Sequence, residues 1–158
     1  MRASTLLRTG LAVAATAVGG GVATDPGSAW YRALRKPAWQ PPPPAYGLVW
    51  TPLYAGLAVT SAQALDGLEG QGRTAERAAY ARALAVNLVL NAGWNVVFFR
   101  ARKPWLAAVE CGVLTLSSAD LVRRTAAVDR RAGLALAPYP AWCAFATALT
   151  AAIARRNA

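Results

Sequence analysis

Residues 79–99 read AYARALAVNLVLNAGWNVVFF, an apolar run in which Asn87, Asn91 and Asn95 recur every four positions. As a helix rising about 1.5 Å per residue, such a run reaches about 30 Å, the thickness of a bilayer's hydrocarbon core. The four-residue spacing puts the three amides on one stripe, with Trp94 and Phe98 on the same side. An Asn inside a membrane is costly unless its amide finds partners. Two readings stay open, and both can hold. The amides bond across to neighbouring helices, or they form the polar wall of an internal pocket.

Four more apolar segments flank this one: 6–24, 46–65, 104–122 and 132–154. Each is long enough to span a bilayer as a helix. Hydrophobic residues make up 56% of the 158-residue chain. The reading is an all-α membrane protein, a bundle of five transmembrane helices forming one domain over 1–158. The first segment also resembles a signal peptide, with a basic start and small residues before Thr24-Asp25-Pro26. Because four spans follow it, a retained first helix is expected. The net charge is +10, carried in short clusters between the apolar runs, as in loops that meet anionic lipid headgroups. No basic groove motif accompanies that charge, so nucleic acid is not expected as a partner. The cations divide almost evenly between the two ends of the bundle, so the charge rule does not set orientation.

There is no histidine. That excludes Ser-His-Asp and Cys-His chemistry, and removes the usual zinc ligand and the usual proximal ligand of haem iron. Cys111 and Cys143 both lie in apolar runs without metal-ligand spacing, and read as buried thiols. No metal site is expected.

The long connection, 25–45, carries Trp30, Tyr31 and Trp39, with Pro37 and the run Pro41–Pro44, and leads to Tyr46. Four prolines cannot continue a helix and favour a stiff, extended chain. A flexible linker needs none of this; a rigid aromatic lid over a cavity between helices does. Arg32, Arg35 and Lys36 on that lid would meet carboxylates at the cavity mouth. A flat aromatic dianion such as a porphyrin suits both features, its rings on Trp and its carboxylates on cations.

Trp50 and Tyr54 share a helix face, either as anchors at the headgroup level or as pocket wall. Pro138-Tyr139-Pro140 would loosen the last segment. Beyond it Trp142 and Ala146 share a face, and a Trp beside a small residue leaves a slot for a flat ligand; ordinary helix packing is the alternative. Glu110 is the one acid well inside a span, a functional candidate by its position.

WYRALRKPAWQPPP…YGLVWTPLY, LVLNAGWNVVFF and LAPYPAWCAFATAL together resemble three ordered motifs of the TspO/translocator protein family of tryptophan-rich sensory proteins. The resemblance covers about 19–153. It implies five transmembrane helices, usually a homodimer, and an intramembrane pocket for protoporphyrin IX and related tetrapyrroles beneath the first long loop. On matching positions stand Tyr31, Trp39, Trp50, Tyr54, Asn91, Trp94, Trp142 and Ala146. With Asn87 from the polar stripe, these form the expected ligand site. The resemblance also implies that, if the protein degrades porphyrin in light, Trp50 and Trp142 carry that chemistry. Thr150 stands where the family has Asn, and the C-terminal sterol pattern lacks its Tyr. The expected protein is a multi-pass receptor or sensor of a bacterial cell membrane, needing no cofactor. Its partners are a porphyrin-type molecule, membrane lipid and a second copy of itself. A porphyrin transporter and a light-dependent porphyrin-degrading enzyme are the alternatives.

Overall fold

The computed structural model describes all 158 residues, and every regular element is helical. In chain order these are α1 (Ala3–Ala23), α2 (Ala29–Ala33), α3 (Pro43–Gly70), α4 (Thr74–Asn95), α5 (Pro104–Ala126), α6 (Arg130–Leu136) and α7 (Pro138–Arg156). A π-helical turn over Val96–Arg100 extends α4.

Local chemistry explains where the helices begin. Pro43 and Pro44 start α3 and Pro104 starts α5, since a proline's missing N–H costs nothing in a first turn. The proline run is therefore not extended throughout. Pro42 is extended, and the next two residues already belong to the helix. Ser28 caps α2 by accepting from the Tyr31 N–H, and Asp129 caps α6 by accepting from the N–H groups of Arg131 and Ala132. The connection expected at 25–45 thus contains a helical turn and ends at Pro42. The last apolar segment is broken at Ala137, where α6 ends and Pro138 opens α7.

Four rods are long and apolar enough to cross a membrane: α1, α4 with its π-turn, α5, and α6 continued by α7. The span expected at 46–65 lies inside α3, the longest helix at 28 residues. Trp50, Thr51, Pro52, Tyr54, Thr60, Ser61 and Gln63 make α3 less apolar than the other four, so the count by length and apolarity is four rather than five.

The helices pack so that α1 lies against α3 and α4, α4 against α5, α5 along α7, and α6 against α5 and α3. Leu57, Leu65 and Leu68 of α3 meet Leu84 and Leu88 of α4, Leu114 and Leu121 of α5, and Leu136 of α6 in the main core. Equally large apolar side chains point outward: Leu7, Leu11, Val18 and Val22 on α1, Val86 and Val89 on α4, Val109, Val113 and Leu116 on α5. That belt would be a liability in water and is the expected outer surface in lipid.

The two ends differ in charge. Every ion pair gathers where α3 ends and α4 begins: Arg2 with Asp66 and Glu69, Arg77 with Glu69, Arg73 with Glu76, and Arg123 and Arg124 with Asp120. At that end α6 also approaches α5 closely at Gly133, where a Cβ would lie 2.5 Å from the Ala126 Cβ and 2.7 Å from its Cα.

Candidate functional site

Pro138 opens α7, and the helical backbone of Ala137 carries it on from α6. α7 packs along α5 but touches α3 little, so α3 and α7 stand apart at the end capped by the 25–42 connection. The gap is a cavity of about 680 Å³, within the ~300–1,000 Å³ range of small-molecule sites.

Three walls each carry one stacked ring pair. Trp50 and Tyr54 of α3 stack with centroids 5.2 Å apart, Trp94 and Phe98 of the α4 rod at 5.3 Å, and Trp142 and Phe145 of α7 at 5.0 Å. The spacings are i,i+4 or i,i+3, so each pair occupies one helix face. Phe99, on the π-turn, also faces the cavity, and Tyr46 sits edge-on to Trp142 at 6.3 Å. Cys111 and Leu114 of α5, with Cys143 of α7, complete the inner wall. The Cys111 Sγ donates to the Cys143 carbonyl at 3.6 Å.

Below the rings runs a continuous polar relay. The Tyr54 hydroxyl donates to Asn91 Oδ1 at 2.7 Å, and Asn91 Nδ2 donates to the Tyr139 hydroxyl at 3.1 Å. Tyr139 donates to Asn87 Oδ1 at 2.8 Å, and Asn87 Nδ2 donates to Ser118 Oγ at 3.0 Å and Ser117 Oγ at 3.2 Å. Ser118 ends the chain on the Leu114 carbonyl at 2.8 Å. Four helices are thus joined by side chains that satisfy one another inside the bundle. Asn95 serves α1 instead, accepting from the Thr24 hydroxyl at 2.9 Å. Gly20 makes room for it, since a Cβ there would lie 2.7 Å from Asn95 Nδ2.

Above the cavity, Tyr31 lies against Phe98 and Phe99 at 6.2 and 5.3 Å, and Trp30 packs edge-on to Phe98 at 5.6 Å. Lys36 Nζ donates to the Tyr31 carbonyl at 2.6 Å and sits 4.3 Å from that residue's ring centroid. Asn157, at the end of α7, bonds the backbone of Arg35.

Of the expected site residues, Tyr31, Trp50, Tyr54, Asn91, Trp94, Trp142 and Ala146 all line this cavity. Two do not. Asn87 is wholly buried one turn deeper, its amide committed to the relay. Trp39 is 49% exposed on the outside of the lid, edge-on to Phe145 at 5.7 Å. For the Asn stripe, both readings apply to different members: Asn87 joins helices, whereas Asn91 joins helices and faces the cavity. Trp50 and Tyr54 are cavity wall. Glu110 faces away from the cavity beside Gly93, with one carboxyl oxygen buried and unpartnered. Thr150 reaches the cavity, but its hydroxyl donates to its own helix at the Ala146 carbonyl, 2.7 Å away. Tyr139, the hub of the relay, was legible only as part of a helix-loosening triplet. Phe145 was findable, since it follows Trp142 by one helical turn. No group of three or more His, Cys, Asp or Glu side chains converges to hold a metal ion.

A helical bundle with lipid-facing belts and an aromatic cavity opening under a pinned connection defines a multi-span membrane protein with an internal binding chamber. The chain belongs to the TspO/MBR family, whose model matches residues 9–156. It is similar to the tryptophan-rich protein TspO of Chlorobaculum tepidum, 31% identical over 94% of this chain and 92% of that one. It is 33% identical to the human translocator protein over 83% of this chain and 76% of that one. It is also 33% identical to the tryptophan-rich sensory protein of Cereibacter sphaeroides, over 81% and 77% of the two chains.

Proposed function

We propose that this membrane protein is a receptor or sensor for a flat hydrophobic ligand, protoporphyrin IX or a related tetrapyrrole, held in the cavity beneath the lid. The observation that carries the reading is the set of three stacked ring pairs on three different helices, Trp50–Tyr54, Trp94–Phe98 and Trp142–Phe145. They offer broad aromatic faces to a planar macrocycle, in a chamber lined mainly by apolar side chains. Binding of this kind uses no metal and no resident cofactor. In this reading α3 is a fifth membrane-crossing helix, because it packs side by side with α1 and α4, two of the four apolar spans. The working unit is a homodimer. The names of relatives, sensory protein and translocator protein, agree with a site that takes up a small molecule.

A degradative reading has one specific support: Trp50 and Trp142, the two residues to which the resemblance assigns that chemistry, both line the cavity. One titration separates the readings. Purified protein in detergent is titrated with protoporphyrin IX while Trp emission is followed, in the dark and under illumination. Saturable quenching with the pigment intact supports a receptor, and quenching weakened in Trp50→Phe/Trp142→Phe puts the ligand between α3 and α7. Saturable quenching followed by protein-dependent bleaching in light promotes the enzyme. An absence of saturable quenching sinks tetrapyrrole binding and leaves transport of another amphiphile.

A further inference from the structure

Lys36 is the one formally charged residue lining the cavity; no Asp or Glu faces it. Arg32 and Arg35, on the same lid, are exposed and lie outside the lining. The Lys36 ammonium is held at the cavity mouth by the Tyr31 carbonyl at 2.6 Å and the Leu34 carbonyl at 3.5 Å, over the Tyr31 ring. None of the six ion pairs includes it. A pinned cation at the rim of an apolar chamber, with no acid to balance it, is a seat for one anionic group of a ligand whose body lies among the rings.

We propose that Lys36 is the specificity-determining residue of the cavity: it receives one carboxylate of a flat apolar ligand, so that the protein selects free acids over their neutral esters. The proposal rests on the tetrapyrrole reading above and deepens it. There is a single seat. A dicarboxylate puts one group on Lys36 and leaves the other outside, on the water side of the lid beside Arg32 and Arg35. Arg32 and Arg35 then add to attraction at long range without setting the choice between acid and ester.

The test compares protoporphyrin IX with its dimethyl ester by quenching of Trp emission, using the full chain in detergent. In the wild type the acid binds tighter than the ester by about tenfold or more, as expected for a hydrogen-bonded charge pair shielded from water. In Lys36→Gln the acid weakens to within about twofold of the ester, while the ester binds as before. Unchanged ester binding also reports an intact cavity. Arg32→Gln/Arg35→Gln keeps the preference, and Lys36→Arg restores it. Equal affinity for acid and ester in the wild type overturns the proposal and leaves tetrapyrrole binding standing. So does a preference that survives in Lys36→Gln, or one that disappears only in the Arg32/Arg35 variant. If Lys36→Gln loses the ester as well, Lys36→Arg decides: a retained acid preference supports the proposal, and its loss overturns it. Failure of both compounds to saturate the wild type overturns the tetrapyrrole reading and this proposal with it.

Discussion

The side-chain amide of Asn157 pairs with the backbone of Arg35 in both directions. The Arg35 N–H donates to Asn157 Oδ1 at 2.9 Å, and Asn157 Nδ2 donates to the Arg35 carbonyl at 3.0 Å. The same Nδ2 also donates to the Ile153 carbonyl at 2.8 Å, so α7 itself orients the amide. The lid over the cavity is thereby clasped to the far end of the chain. Asn157→Ala removes both bonds to the lid, each contributing about 0.5–1.5 kcal/mol. Cleavage by trypsin after Arg32 and Arg35 should then rise by about tenfold, if it proceeds through local opening of the lid. A cleavage rate equal to wild type would rule Asn157 out as the clasp.

Tyr139 stands in the middle of the relay, donating to Asn87 and accepting from Asn91. Tyr139→Phe leaves a buried acceptor and a buried donor unpaired, at a cost of about 1–3 kcal/mol. Tyr54→Phe removes a single bond to Asn91, at the cavity surface, and should cost less. Thermal unfolding in detergent should rank wild type above Tyr54→Phe and Tyr54→Phe above Tyr139→Phe. The reverse order of the two variants would show that the relay does not hold the bundle together.

Gly133 and Gly10 give a paired test of helix approach. A Cβ at Gly133 would meet the Ala126 backbone nitrogen at 2.8 Å and its Cα at 2.7 Å, atoms that cannot swing aside. At Gly10 nothing lies within 4 Å. Gly133→Ala should lower the unfolding temperature and force α6 away from α5, at a cost of about 1–3 kcal/mol for overpacking. Gly10→Ala should be neutral or slightly stabilising, since Ala is the better helix former by about 1 kcal/mol. Equal melting of the two variants would contradict the close α5–α6 contact.

Asp66, just beyond the apolar part of α3, receives a hydrogen bond from the Thr5 hydroxyl at 2.6 Å and others from Arg2. Burial raises its pKa, but the Thr5 and Arg2 hydrogen bonds outweigh that and bring it down to about 2. A carboxyl whose folded value lies below its unfolded one, about 4, stabilises the fold above that unfolded value. The contribution fades as pH falls from about 4 toward 2. Wild type should therefore lose stability across that window. Asp66→Asn should melt lower than wild type at neutral pH and converge with it in acid. Parallel pH profiles for the two proteins would exclude the Arg2–Thr5–Asp66 cluster as the source.

Much of the architecture is local information. Lengths of the apolar runs, proline and capping residues at helix starts, and the four-residue spacing of the asparagines all act within a few residues. They are therefore readable along the chain. The ring pairs Trp50–Tyr54 and Trp94–Phe98 were legible for the same reason, since a helix puts such residues on one face whatever lies opposite. The break of the last segment at Ala137 was announced by the prolines that follow it.

What stands opposite each face is another matter, because it depends on where helices distant in sequence come to rest. The three asparagines are equivalent by spacing. Yet Asn87 bonds Ser118 and Tyr139, Asn91 bonds Tyr54 and Tyr139, and Asn95 meets Thr24. Trp39 and Tyr31 belong to one aromatic connection, but only Tyr31 turns into the cavity. Lys36 is separated from Arg32 and Arg35 by the path of the lid, and that path is held by Asn157, 122 residues from Arg35. A helical membrane bundle with aromatic and amide stripes is written along the chain, since periodicity and apolar length need no partner. Tertiary packing alone decided which side chains close the relay, which face the chamber and which cation stands at its mouth, because a hydrogen bond or a cavity wall exists only once two distant segments meet.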